Sequence, residues 1–429
     1  MKSYSKSNEL LARGLKVTPL AAQTFSKCYR YFPKGNAPSY IDHGEGCYLY
    51  DVDGNAFIDF ICALGPITVG YNNKIVNDAA IEQLKKGASF SLQAPVEVAL
   101  AEKICQIIPC AEMVRFVKNG GDATTAAIRL ARAYTKKDMV LACGYHGMHD
   151  WTIGATVNNK GVPVAVRELT RTFKYNDLAD LEGKLKQYKD KVAAVILEPI
   201  QGNGPAEGYL ANLKKMVHKH KAMLVFDEVV SGFRYALGGA SELYNVVPDM
   251  TAFGKGMGNG YAISAIAGKK ELLSQIEEGV FISTTFGGDA LSMAAALATI
   301  SILEKPGFFE YIWKLGTIMK DGVAKLISEY KLENVVSAVG LAPHCGVAFE
   351  DSGNLSYLDL NSIFSQELVA SGILAHTICN LNSSHTEKEI DAYLKATDRA
   401  FALIRKAIDK GSVEGILMGE RIDPIFKRN

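Results

Sequence analysis

The chain has 429 residues, of which 48% are apolar and 22% charged, proportions that fit a folded globular protein and exclude a disordered or fibrous one. Its 47 basic and 46 acidic residues nearly cancel, so no net field gathers nucleic acid or an anionic membrane, and we expect a small-molecule partner. The longest apolar stretch falls well short of the roughly 20 residues that cross a bilayer. Eight scattered cysteines and a polar N-terminal segment predict a cytoplasmic protein.

The chain order of elements predicts an α/β fold with two domains. Residues 48–60 alternate apolar and polar side chains around an Asp53-Gly54 turn, which indicates a hairpin. Between about 75 and 300, apolar strand-like runs alternate with amphipathic helical stretches, which is typical of a mostly parallel sheet. The clearest strands are 114–117, 139–143, 192–197, 223–226 and 263–267. Helices predicted at 317–330 and 388–407, with short strand-like runs between them, indicate a smaller α+β domain.

The predicted domain limits follow from this change of pattern. We expect residues 1–70 to be an N-terminal segment of the small domain, residues 71–310 to form the large domain, and residues 311–429 to complete the small domain. No internal repeat, low-complexity tract or proline-rich linker marks the boundaries more sharply.

The run KNGGDAT at 118–124 follows a predicted strand and opens the helical stretch 126–134. The backbone N–H groups of Gly120 and Gly121 therefore converge where a helix dipole favours an anion, which predicts a phosphate seat. The alternative is a plain turn in which Asp122 caps the helix. The spacing of the glycines is not that of a dinucleotide-binding fingerprint.

Two acids follow the apolar strand that begins near Leu224. Asp227 and Glu228 are delivered to the carboxyl end of this strand, which is the ligand-binding edge of an open α/β sheet. An acid that merely caps a strand-to-helix turn remains the alternative for either residue.

Lys255 ends another apolar run and is followed by glycines that we interpret as clearing space for a bulky cofactor. A lysine in a partly desolvated pocket loses proton affinity and becomes a nucleophile able to form a Schiff base. The alternative is a surface lysine in a glycine-rich loop. A phosphate seat, an acid and this lysine at neighbouring strand ends together predict pyridoxal phosphate.

Tyr145 and His146 follow the strand 139–143, where the tyrosine ring is placed to cover a flat heterocycle or, alternatively, to pack on the core. His146 and His149 have no cysteine or carboxylate at convincing ligand spacing nearby, so no metal site is predicted. His218 and His220 lie in a lysine-rich helical stretch and are interpreted as a solvated face.

Taken in order, these motifs resemble the class-III aminotransferases of fold type I, and most nearly the glutamate-1-semialdehyde aminomutase branch. The resemblance runs through most of the chain and rests on residues 51–55, 58–59, 65–66, 126–132, 145–147, 198–199, 227–229, 232–234, 254–255 and 285. It implies a pyridoxal-phosphate enzyme with a mostly parallel large domain and a smaller α+β domain.

The same resemblance implies a role for each site residue. Lys255 and Asp227 are the implied catalytic pair: Lys255 holds the cofactor as a Schiff base and shuttles the proton, and Asp227 keeps the ring nitrogen protonated. The implied cofactor contacts are the ring faces at Tyr145 and Val229, the phosphate groups at Gly120 and Gly121, and further contacts at His146, Glu198 and Thr285. Because Thr285 stands where the family reaches the phosphate of a neighbouring subunit, a homodimer is also implied.

Departures from the aminomutase pattern lie in the substrate-binding part. Leu64 replaces a tryptophan, residues 23–27 read QTFSK where an arginine binds the substrate carboxylate, and only Arg30 aligns loosely with it. The loop after Gly147 is shorter, and residues 375–384 contain no glutamate. We therefore predict an aminotransferase with an amino-acid donor and a carbonyl acceptor such as a sugar or secondary metabolite. An aminomutase and a non-catalytic pyridoxal-phosphate-binding protein are the alternatives.

Overall fold

The structure, a computed structural model, describes residues 2–423, so the extreme ends of the predicted segments 1–70 and 311–429 lie outside the described residues. The chain divides into two compact units. The first unit takes the residues up to Gly65, then Val69–Asn73, and the chain from Glu310 onwards. The second unit takes Pro66–Thr68 and Lys74–Phe309.

The elements are numbered in chain order. The strands are β1 (Ile41–Glu45), β2 (Tyr48–Asp51), β3 (Ala56–Asp59), β4 (Met113–Val117), β5 (Met139–Cys143), β6 (Thr170–Thr172), β7 (Val192–Leu197), β8 (Met223–Asp227), β9 (Met250–Phe253), β10 (Ser264–Gly268), β11 (Val336–Leu341), β12 (His344–Phe349) and β13 (Ile373–Leu374). The helices are α1 (Ser5–Val17), α2 (Lys74–Leu84), α3 (Pro95–Ile107), α4 (Gly120–Thr135), α5 (Asp150–Ile153), α6 (Val164–Arg167), α7 (Leu178–Gln187), α8 (Tyr209–Lys219), α9 (Gly239–Leu243), α10 (Lys270–Leu273), α11 (Ala290–Leu303), α12 (Phe308–Glu329), α13 (Tyr357–Ala370) and α14 (Glu387–Lys410).

The second unit is built on a seven-stranded sheet with the order β4-β10-β9-β8-β7-β5-β6. The five strands from β9 to β6 are parallel, whereas β10 runs antiparallel to both of its neighbours. This confirms the predicted mostly parallel sheet, and all five strands predicted from the sequence are present. The three-residue strand β6 was not predicted because its sequence, TRT, carries no apolar run.

The centre of the sheet is covered on both faces, as its uninterrupted apolar strands predict. Every residue of β5 is buried. Val140 and Ala142 pack with the alanines, Ile128 and Leu130 of α4 on one face. Leu141 and Cys143 point to the opposite face, where they pack with side chains of α7 and α8. Burial on both faces fixes the register of the strands and therefore fixes where each one ends.

Parallel strands place their carboxyl ends at one edge of the sheet. At this edge Gly144 follows β5, Glu198 follows β7, Asp227 ends β8, and Lys255 stands two residues after the end of β9. Four motifs separated by more than a hundred residues in sequence thus meet along neighbouring strands.

The first unit contains the four-stranded sheet β1-β2-β3-β13, the β11-β12 pair and the long helices α12 and α14. The predicted hairpin is confirmed as the antiparallel pair β2-β3. Its turn is held by Asp51, whose Oδ1 accepts hydrogen bonds from the backbone N–H of Asp53 and of Asn55. Helix α12 begins at Phe308, nine residues before the predicted start, directly after Gly307 in a left-handed conformation.

A turn at Cys62, Ala63, Leu64 and Gly65 has four consecutive positive φ angles, of 50°, 55°, 73° and 103°. Three of these residues are not glycine, so the turn stores backbone strain. The buried Asp59 carboxylate holds its start by accepting hydrogen bonds from the N–H groups of Ile61 and Cys62. Leu64, a departure from the aminomutase pattern, therefore lies in a strained turn.

Candidate active site

The phosphate seat predicted at residues 118–124 is the N-terminus of α4. Asn119 and Asp122 form two reciprocal hydrogen bonds. The N–H of Asn119 donates to the Asp122 carboxylate at 2.8 Å, and the N–H of Asp122 donates to the Asn119 carbonyl at 3.0 Å. In the part of the chain that the structure describes, the N–H groups of Gly120 and Gly121 have no hydrogen-bond partner. Two free donors at the positive end of a 16-residue helix form an anion site.

Glycine is required at this seat because other segments approach it closely. A Cβ on Gly120 would lie 2.7 Å from Cγ1 of Val229. Gly147 has a φ of 108°, and a Cβ on it would lie 2.7 Å from the Cα of Gly121. The loops after β5 and β8 therefore pack directly against the seat.

The hydroxyl of Thr124 ties the seat to the loop after β5. It is buried within α4 and lies 3.0 Å from the carbonyl oxygen of Gly121 and 2.7 Å from that of His146. This residue was not assigned a role from the sequence. The signal that could have found it is a threonine placed three residues after the second glycine, within reach of the first-turn carbonyl.

Asp227 is buried at the end of β8 and is held by two donors. Its Oδ1 accepts a hydrogen bond from the N–H of Val229 at 3.1 Å, and its Oδ2 lies 2.7 Å from Nδ1 of His146. The Nε2 atom of the fully buried His146 has no partner among the described residues. Because a buried polar atom without a partner is costly, this atom marks a place that a ligand or water fills.

Glu198 holds the start of the loop that carries Tyr145. Its Oε1 accepts a hydrogen bond from the backbone N–H of Tyr145 at 2.8 Å. Burial raises the pKa of the Glu198 carboxyl, and the negative charge of Asp227 raises it further. Gly144 is needed beside it, because a Cβ there would lie 2.4 Å from the same oxygen. Gly144 was also not predicted from the sequence.

Glu228 turns away from this group. Its carboxylate accepts hydrogen bonds from the hydroxyls of Ser231 and Ser241, at 3.0 and 2.8 Å, and from backbone N–H groups at the start of α9. For both acids at this strand end, the alternative was a role in capping a strand-to-helix turn. Glu228 has that capping role.

Lys255 is half-buried and has a left-handed backbone, with a φ of 40°. The glycines around it do not leave open space, so the expectation that they clear room is wrong. A Cβ on Gly254 would lie 2.3 Å from Oγ of Ser264, and a Cβ on Gly256 would lie 3.0 Å from the methyl group of Thr68. These glycines instead allow neighbouring chain segments to pack tightly around the lysine.

The structure thus gathers most of the predicted site residues along one sheet edge. Contacts join Asp227 to His146 and Val229, Val229 to Gly120, and Glu198 to Tyr145. Ala252 of β9 pairs with Asp227, which places Lys255 three residues beyond this pair on the neighbouring strand. Thr285 is different: it lies exposed in the turn before α11, and no described hydrogen bond joins it to the other site residues.

Comparison with known proteins identifies the family of this chain. The sequence profile described as "Aminotransferase class-III" matches residues 31–385. This chain is a class-III aminotransferase. It is 35% identical to the 3-aminobutyryl-CoA aminotransferase of Cloacimonas acidaminovorans (strain Evry), over 94% of this chain and 98% of that protein.

Two further relatives extend the comparison. The glutamate-1-semialdehyde 2,1-aminomutase of Methanothrix thermoacetophila is 38% identical over 79% of this chain and 81% of its own length. The FumI protein of Sphingopyxis sp. MTA144, solved in its pyridoxal-phosphate internal aldimine form, is 26% identical. It superposes with a TM-score of 0.86 over 94% of this chain and 98% of its own. The class-III aminotransferase has fold type I, and the predicted family resemblance is confirmed.

The cofactor of this class-III aminotransferase is pyridoxal phosphate, and the geometry of the sheet edge fits it. The free N–H groups of Gly120 and Gly121 suit a phosphate, and the buried Asp227 carboxylate suits a protonated ring nitrogen. Lys255 supplies an amine two residues after the end of the adjacent strand β9. The predicted enzyme class and cofactor are therefore confirmed.

No metal site was predicted, and the described residues contain no group of three or more histidine, cysteine or acidic side chains that could hold a metal ion. No helix among residues 2–423 is long and apolar enough to cross a membrane.

Proposed function

We propose that this enzyme transfers an amino group from an amino-acid donor to a separate carbonyl acceptor. The observation that carries the proposal is the buried Asp227, bonded to His146 and lying on the strand next to the one that leads to Lys255. A buried carboxylate can hold a proton on the ring nitrogen of the cofactor, and a nearby amine can move the proton of a substrate carbon. When bound, pyridoxal phosphate supplies the electron sink for that carbon.

Each residue then has a defined task. Lys255 holds the cofactor through its amine and afterwards moves the substrate proton, as a positioned base whose contribution is typically 10² to 10⁴ in rate. Asp227 keeps the ring nitrogen protonated, and His146, which donates from Nδ1 to Oδ2 of Asp227, orients that carboxylate. Gly120 and Gly121 bind the phosphate through their N–H groups.

Tyr145 and Val229 cover the two faces of the ring in this proposal. Val229 is fixed by its N–H bond to Asp227 and by its contact with Gly120. Tyr145 is fixed through its backbone bond to Glu198. Burial and the nearby charge of Asp227 raise the pKa of the Tyr145 hydroxyl, so the ring stays neutral at physiological pH and presents an aromatic face for stacking.

The acceptor is proposed on two grounds. One relative, matched over 98% of its length, is named a 3-aminobutyryl-CoA aminotransferase, which favours a β-keto compound with a thioester. The QTFSK sequence at 23–27, in place of a carboxylate-binding arginine, favours a substrate without the free carboxylate of glutamate-1-semialdehyde. A carbonyl-bearing sugar or secondary metabolite also lacks that free carboxylate, but it is not a β-keto thioester.

An aminomutase is the second candidate, because relatives of that name match the chain at up to 38% identity. A mutase keeps one diamine compound enclosed while the amino group moves between adjacent carbons. The shorter loop after Gly147 and the absence of a glutamate in 375–384 favour the transferase instead.

The test uses the purified holoenzyme with glutamate or alanine as donor and 3-oxobutyryl-CoA, pyruvate or a keto sugar as acceptor. We expect keto acid and aminated product to form in equal amounts, and Lys255→Ala to form neither. Glutamate-1-semialdehyde is offered separately without a donor. Steady conversion of it to aminolevulinate, at a rate typical of enzymes, would show the aminomutase alternative to be right.

We also propose that the active enzyme is a homodimer in which Thr285 contacts the phosphate bound by the other subunit. The support is the exposure of Thr285 between Phe281 and Phe286, which are 74% and 59% exposed. Exposed large apolar side chains that occur together in one short segment are typical of a surface that meets a partner.

A further inference from the structure

The segment that carries Thr285, residues 281–289 and here called the arm, is anchored at its start by two arginines. Nη2 of Arg115 donates to the carbonyl oxygen of Ile282 at 2.9 Å, and Nη1 of Arg129 donates to the carbonyl oxygen of Phe281. Arg115 lies on β4, the strand that leads into the phosphate seat, and Arg129 lies on α4, the helix that forms it. The arm is therefore attached to the two elements that build the seat.

The two arginine hydrogen bonds hold the start of the arm next to a residue that is packed in the hydrophobic core. Ile282 is 7% exposed and packs in the hydrophobic cluster that includes α4, whereas its neighbour Phe281 is 74% exposed. Hydrogen bonds from a guanidinium are charge-assisted and stronger than neutral ones. Among the described residues neither arginine forms an ion pair with a carboxylate, so each guanidinium is committed to the arm by its bond to a carbonyl.

The end of the arm is fixed by Lys118, which stands directly before Asn119 at the phosphate seat. Its Nζ pairs with Oδ2 of Asp289 and also donates to the carbonyl oxygen of Ala262 at 2.8 Å. Asp289 in turn caps α11 by accepting a hydrogen bond from the N–H of Leu291. Both ends of the arm are thus tied to the elements around the seat.

The tip between these anchors has little freedom. The N–H of Gly287 donates to the carbonyl oxygen of Thr284 at 3.0 Å, which closes a turn around Thr285. A Cβ on Gly287 would lie 2.7 Å from Oγ1 of Thr284 and 3.0 Å from the carbonyl oxygen of Phe116. The turn is therefore pressed against the end of β4 and presents Thr285 outward.

We propose that Arg115 and Arg129 are positioning residues for cofactor binding in the partner subunit. They hold the arm in the conformation in which Thr285 reaches the phosphate at the seat of a second copy of this chain. The inference rests on the proposed homodimer with a shared site. In this proposal the arginines order the arm before the subunits associate, so association does not carry the entropic cost of ordering it. The arginines thereby strengthen phosphate binding without touching the cofactor.

The test measures the binding of pyridoxal 5′-phosphate and of pyridoxal, which lacks the phosphate, to the apoenzyme by fluorescence, together with the dimer dissociation constant by sedimentation. Arg115→Met and Arg129→Met are compared with Arg132→Met. Arg132 is a matched control, because it lies on the same helix and its Nε also donates to a carbonyl oxygen, that of Asp138.

We expect each arm variant to weaken binding of pyridoxal 5′-phosphate about 10-fold while pyridoxal binds unchanged, and Arg132→Met to alter neither. Arginine-to-lysine variants should restore part of the loss. Thr285→Ala should show the same selective loss, and its combination with Arg129→Met should add little, because both act through one contact.

The two proposals fail differently. If Thr285→Ala selectively weakens phosphate binding but the arginine variants do not, or if their losses simply add, the positioning role is overturned and the shared site stands. If the arginine variants weaken pyridoxal as much as its phosphate, their role is structural only and the inference is again overturned. If Thr285→Ala has no effect in a stable dimer, the shared site is refuted and the inference with it.

Discussion

At the scale of single residues, the proposed chemistry depends on the buried carboxylate of Asp227. Its two oxygens are held by the N–H of Val229 and by Nδ1 of His146. In the proposed mechanism this carboxylate holds a proton on the ring nitrogen of the cofactor.

Asp227→Asn keeps the shape of the side chain and removes its charge. We expect α-proton removal from the donor to slow by about 100-fold or more, because each pKa unit lost at the ring nitrogen is about 1.4 kcal/mol. The measurement is single-turnover absorbance with saturating cofactor. Asp249→Asn is the control, because Asp249 is another buried acid, directly before β9 of the same sheet, bonded to the N–H of Leu224 and to Lys269. Equal rates for the two variants would contradict the role of Asp227.

Residues of this kind could be predicted from the sequence because strand ends and motifs point to them. Lys255 and Asp227 each follow an apolar run, and the pattern alone places them at one edge of a parallel sheet. Thr124 and Gly144 could not be found in the same way. Their roles depend on contacts with His146 and Glu198, and nothing in the local sequence fixes those distances.

At the scale of elements, α4 and the loop after β5 form one connected support. The Thr124 hydroxyl contacts the carbonyl oxygens of Gly121 and His146, so it joins the phosphate seat to the residue that orients Asp227. A displacement of α4 should therefore also displace the loop after β5.

Thr124→Val removes the hydroxyl and keeps the volume. We expect the free energy of unfolding to fall by roughly 1–3 kcal/mol, because a buried hydrogen bond is lost and a buried carbonyl oxygen is left without its donor. Binding of pyridoxal phosphate should weaken as well, whereas Thr124→Ser should behave nearly as the wild type. The control is Thr135→Val in the same helix, whose hydroxyl bonds, among the described residues, to the Ala131 carbonyl alone. Normal cofactor binding by Thr124→Val would argue against a coupled support.

Element predictions succeeded where periodicity is strong and failed where tertiary contacts decide. The five predicted strands of the seven-stranded sheet lie within two residues of their predicted bounds because their sequences are mostly apolar. The start of α12 was predicted nine residues too late, although its buried Ile312, Leu315 and Met319 recur at helical spacing, so the signal was present in the sequence and was missed. The glycines around Lys255 were predicted to open space, yet they permit contact with Ser264 on the neighbouring strand β10 and with Thr68, which lies far from the lysine in sequence.

At the scale of the whole molecule, the stability should depend on buried histidines. His385 is buried and stacks on Phe60 with a ring separation of 4.5 Å. Burial lowers its pKa to about 4, and the Asp59 carbonyl oxygen, the Asn382 N–H and the charge of Glu389 are the groups that face it. The folded state therefore binds a proton at this ring less tightly than the unfolded state does.

The sign of the effect follows from linkage. Stability from neutral His385 is fully present above the unfolded pKa of about 6.5 and is lost as the pH falls from there towards 4, by up to roughly 3 kcal/mol. Burial raises the pKa of Asp59 to about 6, so this acid acts in the opposite sense, with stability lost as the pH rises through that value. The difference between wild type and His385→Gln should isolate the histidine. We expect this difference in unfolding free energy to shrink as the pH is lowered from 7 to 4, and parallel curves would refute the assignment.

The sequence established the α/β class and the pyridoxal-phosphate chemistry at this scale because both follow from patterns along one chain. It did not place Pro66–Thr68 with the second unit, since that assignment depends on bonds such as the one from the Thr68 N–H to Oδ1 of Asn259. From the arm, the sequence predicted a role for Thr285 alone. The contacts of Arg115 and Arg129 with backbone carbonyls could not be predicted, because no sequence pattern indicates them.

The central claim is that Lys255 holds the cofactor through its amine, and borohydride reduction of the holoenzyme tests it most directly. Reduction converts a Schiff base into a stable secondary amine, so the attached lysine can be located by mass spectrometry of the digested protein. We predict one phosphopyridoxyl group per chain, on the peptide that contains Lys255. A label on any other lysine, or no label while the cofactor is bound at full occupancy, would contradict the account.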